Sequence, residues 1–374
     1  MMRTLKRLYA DFRGFDEAGS TVPMMDGPLK PNTALDSAPV ALQLPGVDNL
    51  TATSGGLICS QGAALLRITS ADGTALKVVA ERSFPAAITC LADDGKGALA
   101  VGLDGQGVVI QGGSHGGIEI KELNGAVLRS PSAALFLDPD TLIVANGSAD
   151  YPMADWKRDL MNRRASGGIW RISLDGRSHS ATQLARNLAF PYGLAPGPGG
   201  VLLVSEAWRH RVIAIDPMVE KPPRSILADL PAYPARITAT ESGYWLALFA
   251  PRNQLVEFVL REEGYRRKMV DGIDPDQWIA PARSSGASFL EPIQGGARKK
   301  LNMLKPWSPS WSYGLVVRCD QAMRPIGSFH SRADGNIHGV TSLAEDGGKI
   351  FIGAKGSGAV VVLDAGASGM EAGE

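Results

Sequence analysis

Short β-branched apolar runs, broken by glycine and aspartate turns, recur along most of this chain, and apolar residues at helical spacing are scarce. That pattern predicts strands rather than helices. DNLTATSGGLICSQGAALLRI (48–68) reads as apolar run, glycine turn, run, polar turn, run, and ITCLADDGKGALAVGLDGQGVVI (88–110) repeats the grammar. So do AALFLDPDTLIVANGSAD (133–150) with its partner GGIWRIS (167–173), LAFPYGLAPGPGGVLLVSEAWRHRVIAIDP (188–217), ARITATESGYWLALFAPRNQLVEFVL (235–260) and HGVTSLAEDGGKIFIGAKGSGAVVVLD (338–364). Strand, turn, strand, polar loop, strand is the unit of a propeller blade, whose outer fourth strand is too weak to read by pattern. Six copies, at the roughly 40-residue spacing of four-stranded blades, predict an all-β six-bladed propeller over 45–364. Residues 1–44 are expected to pack on or close it, and 365–374 to form a flexible tail. Two gaps, 151–166 and about 262–312, are too long for blade loops. They are expected to project from one face as a short helical or irregular lid.

Composition narrows the partners. Lys plus Arg and Asp plus Glu are both 38, so no net field attracts nucleic acid or an anionic membrane. ARKK (297–300) and YRRK (265–268) therefore read as solvated loop faces. The first nineteen residues carry charge every few positions without an apolar core, and no window reaches a membrane-spanning length. The expectation is a cytoplasmic protein with a small-molecule partner and with reduced, buried Cys59, Cys90 and Cys319. The sequence does not set the oligomeric state, and the sequons at 49–51 and 146–148 matter only in a secreted chain.

Several catalytic signatures fail on inspection. GPGG (197–200) is followed by a strand, not by the helix whose N-terminus a phosphate loop requires. GGSHG (112–116) matches a nucleophile elbow around Ser114 and His115, but IEIKEL after it reads as strand, so the stretch is an inter-blade loop. No zinc or EF-hand spacing occurs. His179 and His210 are expected in solvent-facing turns, and Glu206 with Arg211 as a hairpin ion pair.

NGSADYPMADWKRDLMNRRASGGIWRI (146–172), LAFPYGLAPGPGGVLLVSEAWRHRV, LPAYPARITATESGYWLALFAPRN and the closing pair YGLVVRCDQAMRPIGSFH and HGVTSLAEDGGKIFIGA together resemble the strictosidine synthase-like family from about Pro45 to Asp364. Its relatives include paraoxonase-like lactonases, the regucalcin/gluconolactonase group and the plant Pictet-Spengler enzymes. The resemblance implies a central channel in which metal-dependent members hold calcium on carboxylate and amide side chains. Carried over by position, those ligands fall on Asp48, on Ala133 and Ala134, on Tyr192, and on Ala235 and Arg236. One carboxylate is too few for a hard cation that takes about six or more oxygen ligands, so no cofactor is expected although the resemblance implies calcium. The plant synthase's glutamate falls on Val340 or Thr341.

The expected centre is metal-free. Arg236 and Tyr192 bind a carboxylate, phosphate or developing oxyanion, and Asp48 orients Arg236 in forked geometry or acts as base. His338 is a candidate general base. Tyr151, Trp156 and Ser132 are candidate substrate contacts. The leading functional expectation is lactone or ester hydrolysis. Another small-molecule reaction (a lyase, isomerase or bond-forming enzyme) and a non-catalytic binding propeller stand as alternatives, as does a structural Arg–Asp plug at the axis.

Overall fold

The computed structural model describes residues 22–71, 75–219, 221–285, 298–300, 303–305 and 312–367. Six four-stranded antiparallel sheets follow one another. Their inner strands are Val47–Thr53 (blade I), Ile88–Asp93 (II), Pro131–Asp138 (III), Pro191–Pro196 (IV), Ala232–Thr240 (V) and Val340–Asp346 (VI). Each inner strand contacts the next around a ring, and blade VI returns to blade I. The outer strand of blade VI is Val40–Gln43, paired antiparallel with Ala359–Asp364, so a segment from before blade I completes the last sheet.

Apolar clusters fill the wedges between sheets: Ala100, Ile110, Leu142 and Trp170 between blades II and III, Ile143, Ile169, Val204 and Ile213 between III and IV. Inner strands of different blades share no ladder, so their facing carbonyls need side-chain donors. Ser205 Oγ donates to the Ala235 carbonyl at 2.5 Å, and Thr238 Oγ1 to the Leu343 carbonyl at 2.7 Å. Asn49 Nδ2 donates to the Ile88 carbonyl at 3.1 Å. Gly193 lies so close to blade V that an added Cβ would fall 2.6 Å from the Ala235 carbonyl oxygen and 2.8 Å from Arg236 Cα. Only glycine allows that approach.

One stretch read as strand is helix. The last residues of ARITATESGYWLALFAPRNQLVEFVL form α2 (Gln254–Arg261), which follows α1 (Trp156–Asn162) and precedes α3 (Glu263–Gly272). Asn253 caps α2 by accepting the Leu255 N–H at 2.8 Å. Val256, Val259 and Leu260 are buried while Phe258 is 56% exposed, which is helical spacing. The third strand of blade V is instead Gly314–Cys319, paired with Gly243–Pro251. Both insertions therefore join the second strand of a blade to its third, in blades III and V. With antiparallel order, those joints lie on the face where the inner strands begin. The ends of the chain and most of 286–311, including PWSPS (306–310), lie outside the described residues.

Candidate functional site

All six inner strands break register with their neighbours at the same level. The irregularities fall between Asp48 and Thr51, Ile88 and Cys90, Pro131 and Ala133, Pro191 and Gly193, Pro234 and Ile237, and Val340 and Ser342. A bulge frees residues from the ladder and re-aims their side chains. The freed positions carry Asn49, Thr89, Ser132, Tyr192, Arg236 and Thr341.

Arg236 gathers most of this ring. Its Nη1 donates to Asp48 Oδ1 at 2.8 Å and to the Thr341 carbonyl at 3.1 Å. Its Nη2 donates to the Thr89 carbonyl at 2.6 Å and to Asn49 Oδ1. One guanidinium thus ties blade V to blades I, II and VI. Asp48 is equally engaged. It accepts from Thr341 Oγ1, from the Asn49 N–H and from Lys355 Nζ, each at 2.8 Å. Burial opposes its charge, but Arg236 and Lys355 outweigh that and hold the carboxyl far below the usual carboxylate range. The contact to Arg236 is through one oxygen, not the expected fork. A carboxylate so stabilised is a poor proton acceptor. Cys90 in the same channel is pushed up to about 12 by burial and stays a thiol.

The ring's donors do not fit calcium. The guanidinium already occupies the oxygens of Asp48 and Asn49, and Ala133, Ala134 and Tyr192 add no ligand set. Among the described residues no three His, Cys, Asp or Glu side chains gather into a metal-binding group.

Above the ring lies a different environment. Phe249, fully buried, has the rings of Trp156 at 5.5 Å, Tyr192 at 6.0 Å, Trp208 at 6.3 Å and Tyr233 at 5.6 Å. The Arg283 guanidinium lies over both Trp156 and Phe249, at 4.6 and 5.4 Å. Seven buried side-chain polar atoms lack a hydrogen-bond partner among the described residues. Five surround this cluster: Asp159 Oδ1, Tyr192 Oη, His210 Nε2, Tyr233 Oη and Arg283 Nε. The other two, Thr89 Oγ1 and Ser342 Oγ, belong to the channel wall below. Buried polar groups are ordinarily paired. Five of the seven are concentrated under the lid.

Asp159 stands out in this set. It is 1% exposed on α1, one turn beyond Trp156, and its Oδ2 accepts from Trp208 Nε1 at 2.7 Å. Burial raises its carboxyl to about 6, against the lowering by the neighbouring Ser148 and Trp208. His210, expected in a solvent-facing turn, is buried. The short helical turn Ala207–Arg209 folds it in a left-handed conformation against Tyr233, with ring centroids 4.6 Å apart. Burial and Arg252 push it down to about 3. Its Nε2 is 3.8 Å from Glu257 Oε1, too far for a hydrogen bond.

The structure brings Asp48 and Arg236 together, with the guanidinium carbon 5.1 Å from the Tyr192 ring centroid. Tyr192 thus offers Arg236 its face, not its hydroxyl. Ser132 Oγ lies 2.5 Å from the Pro191 carbonyl and 3.2 Å from that of Ala145, which makes it a staple between blades III and IV. His338 is not brought to the cluster. Its Nε2 faces the Arg332 carbonyl at 2.8 Å and must donate, so Nδ1 accepts from Ser312 Oγ at 2.8 Å. Ser312 bonds in turn to Ser285 of the lid at 2.9 Å, so His338 anchors the lid. Trp156 is a wall of the cluster, and Tyr151 is half-buried at the lid's start, its N–H bonded to Ser148 Oγ at 3.1 Å. Glu206 pairs with Arg211 at 2.6 Å and with Arg209, and also holds the Ala189 N–H. Sequence reading missed Asp159, Tyr233, His210 and Arg283. Helical spacing in DWKRDL, which places Trp156 and Asp159 on one face, was the available signal for the first. Arg283 had none.

No family model and no curated protein matches this chain. Among solved structures it is similar to a gluconolactonase from Xanthomonas campestris, at 12% identity over 86% of each chain and a TM-score of 0.52. A putative gluconolactonase matches at 12% identity over 87% of this chain and 91% of that one, TM-score 0.50. A calcium-binding regucalcin from Agrobacterium tumefaciens matches at 9% identity over 87% and 92%, TM-score 0.50. The neighbours are gluconolactonase- and regucalcin-like six-bladed propellers, and at these identities the likeness carries the fold.

Proposed function

We propose that this propeller is a small-molecule hydrolase of the lactonase type, acting without a metal on a lactone or ester held between the channel ring and the lid. The carrying observation is the set of unpartnered buried polar atoms around Phe249. They include a carboxyl raised to about 6, near the value a general base needs at neutral pH. In this reading Asp159 takes a proton from the water that attacks the acyl carbonyl. The Tyr192 and Tyr233 hydroxyls and Arg283 stabilise the tetrahedral oxyanion. Asp159 then returns the proton to the leaving alkoxide, so lactone plus water becomes hydroxy acid. Asp48 and Arg236 take no proton. Saturated by neighbours from four blades, they hold the channel in shape beneath the site.

A panel of aliphatic lactones and aryl esters, with and without chelator, tests the proposal. Turnover that survives chelator and depends on Asp159 is expected. Loss of all turnover on chelation, or stoichiometric calcium in the purified protein, would overturn the metal-free reading. Saturable ligand binding with no turnover across the panel favours the binding-protein alternative.

A further inference from the structure

We infer that Arg283 and Lys355 form a carboxylate-recognition pair at the lid interface, so that the ligand is a small molecule carrying its own carboxylate on a ring or apolar body. This rests on the lid-covered site proposed above and names the chemistry that site selects.

The argument begins with how the lid is docked. Gly339, at φ +66, and Gly356 both lie under the Arg283 carbonyl, where an added Cβ would meet its oxygen at 2.5 and 1.9 Å. Two glycines of blade VI therefore let the segment Ala280–Ser285 settle directly beside Lys355, the residue before Gly356. The Ser285–Ser312–His338 chain of hydrogen bonds fastens the same segment to blade VI. The charge balance there is uneven. Asp48 has three cations within electrostatic reach, Arg236, Lys355 and Arg283. It bonds the first two, and its four donors leave little for the third.

Asp104, a carboxylate within electrostatic reach of Lys355, is committed elsewhere. It accepts the Ala154 N–H at 3.0 Å and the Met153 N–H at 2.5 Å, at the start of the lid in blade III. Arg283 is thus a half-buried cation whose Nε is buried and unpartnered among the described residues. Trp156 and Phe249, 5.5 Å apart, both lie on one side of its guanidinium, which leaves the other side and its N–H groups as the polar contact surface. Lys355 keeps 34% of its side chain exposed while bonding Asp48. A guanidinium and an ammonium that both reach Asp48 electrostatically match a carboxylate, which the guanidinium can hold through two oxygens. The aromatic rings of Trp156 and Phe249 beside it suit the rest of the molecule.

The test is binding, not turnover. Benzoate, its neutral isostere benzyl alcohol and inorganic phosphate are titrated into the full-length protein. Readouts are thermal shift and tryptophan fluorescence, to which Trp156 reports. Saturable binding of benzoate at least 10-fold tighter than of benzyl alcohol or phosphate is expected. Lys355→Met and Arg283→Met should each weaken benzoate at least 10-fold, and Lys355→Arg should restore most of it. Equal binding of benzoate and benzyl alcohol overturns the pair, as does benzoate binding unchanged in both Met variants while they fold like the parent. A response to phosphate equal to that to benzoate overturns the ring-borne carboxylate. Benzoate binding that depends on Lys355 in a protein inactive on every lactone would sink the hydrolase reading and keep this one. Lactone turnover with benzoate binding indifferent to Lys355 would do the reverse.

Discussion

The channel ring and the lid cluster share Tyr192, yet they treat polar groups in opposite ways. At the axis every functional atom of Asp48 has a partner, and Arg236 spends both terminal nitrogens on oxygens from blades I, II and VI. Under the lid, Asp159, Tyr192, Tyr233, His210 and Arg283 each keep a buried atom unpaired among the described residues. Both places gather buried charge. Charge alone therefore does not separate a structural node from a working site; what separates them is whether the chain has already answered its own polar groups.

The sharpest way to break that comparison is Asp159→Asn. A general base contributes about 10²- to 10⁴-fold, so lactone or ester turnover should fall by that order with binding retained. The parent's rate should rise with pH through about 6 as the carboxyl ionises, and the variant should lose that limb. A variant that turns over at the parent's rate removes Asp159 from the mechanism.

Arg236→Ala tests the other side. It leaves Asp48 buried with Lys355 as its one cationic hydrogen-bond partner and strips donors from the Thr89 and Thr341 carbonyls. Breaking a buried pair in this way costs about 3–5 kcal/mol, visible as a lower Tm or denaturant midpoint. Arg236→Lys should recover part of the loss, because one ammonium cannot span four acceptors. Abolished turnover with unchanged stability would move Arg236 from the frame to the chemistry.

The axis was far more legible in the sequence than the lid. The strand-turn-strand repeat locates the inner strands, and the resemblance to the strictosidine synthase-like family is what put Asp48, Tyr192 and Arg236 on them. The lid has no repeat. Arg283 reaches its place through two glycines more than fifty positions away in sequence, and His210 is buried by α2, itself hidden in a stretch whose apolar residues read equally as a strand. Asn253, a helix-capping residue just before that stretch, was the local sign of the change. His338 has a strand-end position that suits a base, but both its ring nitrogens are claimed, one by the Arg332 carbonyl six residues before it and one by Ser312.

Stability against pH gives a smaller effect of known sign. Asp159 has a folded-state carboxyl raised to about 6 from an ordinary 3.8. The fold therefore favours the neutral acid, a stabilisation fully present below about pH 4 and lost as the pH rises through 6. The loss is about 3 kcal/mol at most. Asp159→Asn has no charge to bury and still offers an oxygen to Trp208 Nε1. It should match the parent near pH 4 and melt higher at pH 8, the stability gain expected when a strained functional group is removed. A variant less stable than the parent at pH 8 would make Asp159 a structural residue.

The smallest effect falls on the residue the two regions share. Tyr192 is fully buried, with its face toward Arg236 and its edge toward Phe190 and Phe249, and its hydroxyl bonds nothing among the described residues. Tyr192→Phe keeps the ring and therefore the packing and the cation–π contact. It also relieves a buried hydroxyl that has no partner, so stability should change by about 0.5 kcal/mol or less, in either direction. If the hydroxyl meets an oxyanion, turnover should still drop about 10-fold, with little change in KM, because the contact strengthens only in the transition state. A large loss of stability without that drop would place Tyr192 with the saturated axis, and the boundary between frame and site would then lie above its ring rather than through it.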